Sequence, residues 1–78
     1  MMTEWKQIKQ PEDPNWVEWH KEVMSPNLGE AMLKVWQNMD GYFSASMVSH
    51  DYYRAVKALN STTIESAKIE AEHWARGE

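Results

Sequence analysis

Cysteine is absent from all 78 residues. That removes disulfides and thiolate zinc sites from consideration. A chain of this length hides only about 60 to 65% of its unfolded surface, and small domains usually recover the deficit by cross-links, metal or self-association. With the first route closed, close packing of elements and association between copies remain. Long apolar runs are missing too: nothing approaches the roughly 18 residues of a membrane span, and Met1 to Gln10 has no signal-type apolar stretch. The expectation is a cytoplasmic protein with no membrane partner.

Arginine is scarce, represented by Arg54 and Arg76 alone, and the net charge is −4. A field of this sign repels phosphate backbones, and few bidentate donors are available, which counts against nucleic acid as a partner. The three glycines, Gly29, Gly41 and Gly77, stand isolated, so no glycine-rich phosphate loop exists.

What the chain does contain is tryptophan, five residues against a single phenylalanine, and a local excess of acid. Residues 10 to 30 hold Glu12, Asp13, Glu18, Glu22 and Glu30 against Lys21 alone. No repeat or linker interrupts the sequence.

Start and stop signals predict an all-α fold, a compact irregular bundle of about four short helices over 14–24, 26–40, 47–59 and 63–76. Residues 1–10 form an N-terminal arm and residues 11–78 a single domain. Asp13 before Pro14, and Ser25 before Pro26, read as N-caps with proline at the first helical position. Trp16, Trp19 and Val23, with Val17 and Met24 one step round, make the first apolar stripe. Leu28, Ala31, Met32, Val35, Trp36 and Met39 recur at intervals of three and four as the second, and Asp40 with Gly41 supplies its stop. Val48, Tyr52, Ala55, Val56 and Leu59 form a third. Thr62 and Glu65 match a capping box ahead of a thinner stripe, Ile64, Ala67, Ala71, Trp74 and Ala75. Strand pairing over residues 42–48 is the competing reading of that segment.

Catalytic patterns fail on spacing. Ser49, His50 and Asp51 are consecutive, so on a helix their side chains diverge rather than meet. Glu70 and His73 lie one helical turn apart, but a carboxylate-bridged metal pair needs that motif twice and it occurs once. The chain is therefore expected to be no enzyme and to need no metal or cofactor.

Binding is the remaining class. Indoles inside a polar rim are how protein interfaces concentrate their energy. The candidate partner-binding set is Trp5, Trp16, Glu18, Trp19 and Glu22, on an acidic, Trp-bearing helical surface, with either Trp5 or Trp19 the candidate exposed anchor. Trp16, Trp36 and Trp74 fall on apolar stripes and suit the core as well. Methionines 24, 32, 39 and 47 read as gap-fillers, with Met39 and Met47, which flank a loop, the candidate exceptions that could offer adaptable surface. The expected function is a small inhibitor or adaptor, of a bacterial or phage accessory kind, whose partner is a protein with a basic or apolar patch. Two alternatives stand beside it: a homo-oligomeric structural protein, and capture of a small nucleotide by an aromatic and cationic helix face of Tyr53, Arg54 and Lys57.

Overall fold

A computed structural model of the chain describes residues 4–10, 12–51 and 54–77. Among them run β1 (Lys6–Gln10), β2 (Asp13–Ser25), β3 (Gly29–Gln37), β4 (Phe43–Ser49), β5 (Arg54–Ala58) and α1 (Ile64–Ala75). The strands form one antiparallel sheet in the order β1-β2-β3-β4-β5. The protein is thus a five-stranded meander with a single C-terminal helix, not the expected all-α bundle.

The expected helices 14–24 and 26–40 are strands β2 and β3, and the expected helix 47–59 takes in the end of β4 and all of β5. The reason lies in β3. Ala31, Leu33 and Val35 alternate along it at 7%, 0% and 0% exposure, while Met32, Lys34 and Trp36 point the other way, as a period of two requires. A helical reading leaves Leu33 off the apolar stripe, whereas the strand places it at the centre of the core. Residues 42–48, the segment open to either reading, form most of β4.

Register completes the core. Trp19, Val35 and Ala45 lie side by side across β2, β3 and β4, as do Lys21, Leu33 and Met47, then Val23, Ala31 and Ser49. Direct partners in an antiparallel pair share a face, so these rows define one surface. Helix α1 packs on it against β2, β3 and β4, presenting Ala67, Ala71 and Ala75 at 2% exposure or less. Trp5, Trp19, Val23, Leu28, Ile64 and Trp74 close the margins.

Of the four expected helices only the last, 63–76, is helical. Its N-cap is Thr63, whose Oγ1 accepts from the Ser66 amide at 3.4 Å, not Thr62. The entry is pinned a second time by the Glu70 carboxylate, which accepts from the Asn60 amide and from Ser61 Oγ. This structural duty occupies one member of the Glu70 and His73 pair.

The proline and glycine signals mark hairpins rather than helix ends. Ser25 Oγ accepts from the amides of Asn27 and Leu28, the same bonding an N-cap offers, but the chain then reverses. Gly29, at φ 71°, directly opposes Ser25 and takes the left-handed conformation that a short hairpin demands. Gly41, at φ 91°, closes the β3–β4 turn, its amide donating to the Asn38 carbonyl at 3.1 Å. Pro14 falls where the β1–β2 register jumps from Lys9↔Val17 to Gln10↔Asp13, an irregularity of the kind that tolerates a residue without an N–H.

The expected arm 1–10 supplies β1, an edge of the sheet. Both edges carry two exposed cations, Lys6 and Lys9 on β1 and Arg54 and Lys57 on β5. Such charges discourage the addition of further strands.

Candidate functional site

Because α1 covers one face of the sheet, the other is left without a partner element among the described residues. Its side chains follow from the same register. Glu18, Trp36, Ser44 and Ala58 form one row across β2 to β5, His20, Lys34, Ser46 and Val56 the next, and Glu22, Met32, Val48 and Arg54 the third. Ile8 pairs with Glu18 from β1, and Met24 pairs with Glu30 at the far end.

Trp16, Glu18 and His20 are spaced by two along β2 and therefore share this face. Trp16 Nε1 donates to Glu18 Oε2 at 2.8 Å, and His20 Nε2 lies 2.8 Å from Glu18 Oε1. Both carboxylate oxygens are engaged. Burial opposes ionisation of Glu18, but the hydrogen bonds from His20 and Trp16 and the charges of His20 and Lys34 outweigh it and hold the carboxyl below 4.5. The result is an indole fixed by an ionised carboxylate, with Trp36 directly across from that carboxylate on β3.

Next to this aromatic ridge the face is shallow. Ser44 and Ser46 are 9% and 1% exposed, Ser44 Oγ accepts from Asn38 Nδ2 at 2.7 Å, and Ser46 Oγ has no partner among the described residues. Toward the β2–β3 turn the surface falls into an open cleft of about 600 Å³ bordered by Glu22, Met24, Glu30, Met32, Val48 and His50. His50 Nε2 sits 3.1 Å from Glu30 Oε2 there. Met24 and Val56 are more than half exposed, at 66% and 58%.

The sheet divides the residues expected to act together. Trp16, Glu18 and Glu22 lie on the free face, whereas Trp5 and Trp19, of which either could have been an exposed anchor, are partly buried against the core on the helix-covered side. Trp19 stacks obliquely on Phe43, ring centroids 6.3 Å apart. Trp5 Nε1 donates to Glu72 Oε1 at 2.8 Å, and Lys21 Nζ reaches the same oxygen at 2.8 Å while lying 5.9 Å from the Trp5 ring. Of the indoles assigned to apolar stripes, Trp74 packs against the core and Trp16 and Trp36 do not.

The nucleotide-binding alternative loses its geometry. Tyr53 lies outside the described residues, and Arg54 and Lys57, three apart on a strand, point to opposite faces. Missing from the expected set were His20, Lys34, Met32 and Trp36. The signal for His20 was present as the alternation Trp16, Glu18, His20, Glu22 along β2, and that for the other three as the alternation Met32, Lys34, Trp36 along β3.

Glu72 shares the electrostatics of Glu18. Burial again opposes its ionisation, and hydrogen bonds from Lys21 and Trp5 with the charges of Lys21 and Arg76 hold it below 4.5. A carboxyl whose folded pKa is depressed contributes its full stability above the unfolded value and loses it as pH falls through the folded one. Stability should therefore be flat above about pH 5 and decline progressively below it. Urea midpoints taken at about pH 6.5 and about pH 3.5 check this, and Glu72→Gln should lower the first midpoint while shrinking the difference between the two.

No protein-family model matches this chain, and neither a curated protein nor a solved structure is found to match it.

Proposed function

We propose that the protein is a non-catalytic binding module and that it meets another polypeptide through the helix-free face of its sheet. One observation carries this reading: Trp16 and Trp36, with Met32, Val48 and Val56, stand on a face that no element of the described structure covers. Indoles supply large contact area at low entropy cost, and Trp16 is already held by Glu18 before any partner arrives. Glu22, Glu30 and Arg54 border the apolar strip with charge of both signs, the rim that excludes water around such anchors. This replaces an acidic helix by a mixed-charge sheet face and keeps Trp16, Glu18 and Glu22 within it.

The test uses the native chain, Trp36→Glu and a control on the outer face of α1, Glu65→Lys, as immobilised baits for soluble polypeptides of the source cells, further copies of this chain included. Circular dichroism confirms that each bait is folded. The expected result is at least one bound species held by the native and control baits and reduced about tenfold or more on Trp36→Glu, as for a central anchor residue. Equal retention on all three baits removes this face from the function.

A further inference from the structure

The free face is complementary to itself. Its three rows run Glu22–Met32–Val48–Arg54, His20–Lys34–Ser46–Val56 and Glu18–Trp36–Ser44–Ala58 across β2, β3, β4 and β5. Along β3 stand tall side chains, Met32, Lys34 and Trp36. Along β4 the facing positions at two of the three rows are serines buried to 1% and 9% exposure, so a ridge lies beside a trough. The first row begins with an acid and ends with a guanidinium.

Consider a two-fold axis parallel to the strands, lying over the line midway between β3 and β4. It places β3 of one copy over β4 of the other and β2 over β5, and each row remains on itself. Met32 then meets Val48 of the second copy, Trp36 seats over Ser44, and Lys34 lies over Ser46. Glu22 of each copy faces Arg54 of the other, so the pair forms twice, as a symmetric interface requires. Ridge enters trough in both directions. Lys34, the cation nearest the axis, is coupled to Glu18 within its own face, which offsets repulsion between the two lysines. Sheets stack face to face about 10 Å apart with strand directions inclined by about 30°, a tilt that long side chains such as Glu22 and Arg54 can follow at the flanks.

We infer that the occupant of the helix-free face is a second copy of this chain, in a two-sheet sandwich whose axis passes between β3 and β4 and whose register is set by reciprocal Glu22–Arg54 pairs. The inference rests on the binding role assigned to that face above and names its partner. Four strands spaced about 4.8 Å apart and roughly six residues long at about 3.4 Å each cover about 400 Å² of flat area per copy. Twice that, before side-chain relief is added, falls below the roughly 1,200 Å² at which standard specific interfaces begin and in the range of weak, transient ones, so the association is placed in the micromolar range, at a dissociation constant of roughly 10 to 100 µM.

Sedimentation velocity of the full chain from about 5 µM to about 500 µM spans that range. The native protein should pass from monomer to dimer. Glu22→Arg and Arg54→Glu, each placing like charges opposite one another twice, should each weaken self-association about tenfold or more. An equimolar mixture of the two variants should regain it as a heterodimer, because every facing pair is then opposite in sign, and the double variant should regain it alone. Both positions are exposed, and circular dichroism verifies that each variant keeps the fold.

A native chain that stays monomeric at about 500 µM, or a mixture that associates no better than its components, overturns the inference. If that happens while Trp36→Glu still releases a different polypeptide in the bait experiment, the face binds and only its occupant was misassigned. If the native chain stays monomeric and Trp36→Glu also leaves the bait result unchanged, both readings fall together.

Discussion

Leu33→Ala should destabilise the protein by about 3 to 4 kcal/mol and lower its melting temperature by roughly 15 to 25 °C, whereas Met32→Ala next to it should cost about 1 kcal/mol or less. Leu33 has no solvent exposure. It lies between Lys21 and Met47 in the middle row, on the surface that α1 covers, and truncation leaves a cavity that two layers cannot collapse to fill. Met32 is only half-buried and points to the free face. For 78 residues the whole stability is on the order of 4 to 12 kcal/mol, so the first substitution removes a large share of it. The comparison discriminates sharply, because a helix over 26–40 would bury Met32 and leave Leu33 outside the apolar stripe. Denaturant midpoints of the two variants, measured at one pH, settle the order. If Met32→Ala proves the costlier, the strand assignment of β3 is wrong.

Ala71→Leu is expected to be the second most damaging change, at about 2 to 3 kcal/mol, although it adds apolar volume rather than removing it. Ala67, Ala71 and Ala75 are buried to 0%, 0% and 2% exposure, and their small size is what lets the axis of α1 lie close to the sheet. An isobutyl group at the central position has no space to enter. The helix must lift, and its contacts with β2, β3 and β4 loosen together. Ala71→Gly should cost only about 1 kcal/mol, the propensity difference, because nothing is forced apart. Ile69→Ala, at a site 59% exposed, should fall within about 0.5 kcal/mol of the native chain. Thermal unfolding of the three variants gives the order directly, and an Ala71→Leu variant as stable as the native chain would show that the helix is not seated through its alanines.

The C-terminal helix was legible because its signals agree at every level: threonines at the start, alanines at helical spacing, a tryptophan at the margin. The turns were legible as breaks, since Ser25 with Pro26, and Asp40 with Gly41, do mark where the chain changes direction. What could not be read from those signals was which element they bounded. Proline and serine favour an N-cap and a hairpin turn by the same local hydrogen bonds, and Ser25 makes such bonds here in a hairpin.

The strands themselves were obscured by apolar side chains on both faces. In β3, Met32 and Trp36 stand on the free side while Ala31, Leu33 and Val35 stand inside. The apolar subset Ala31, Met32, Val35 and Trp36 then falls at helical intervals by coincidence. In β2, Lys21 occupies a core-facing position, made tolerable by Glu72 and Trp5 from 51 and 16 residues away in sequence. An alternation with a lysine on its apolar side does not announce a strand. The same surplus on the free face that hid the sheet from a periodicity argument is what now supports the binding role proposed for it, so the candidate site was visible only in fragments. Trp16, Glu18 and Glu22 were identified together with Trp5, which stood outside the strong helical stripes, and Trp19, which lay in the acidic segment, and the sheet sends these two to its other side.

Because each strand in the order β1-β2-β3-β4-β5 pairs with its neighbour in sequence, the sheet can assemble one hairpin at a time, and the entropy lost in closing each short loop is small. Proteins rich in such local pairings fold faster than sandwiches whose strands must find distant partners. Only the docking of α1, which brings Glu72 to Lys21 and Trp5, closes a long loop. On that ordering, a newly made chain would form a bare curved sheet first and gain its cover last. For that interval both apolar faces would be open, and the cationic edges and the net negative charge would be what keeps neighbouring chains apart.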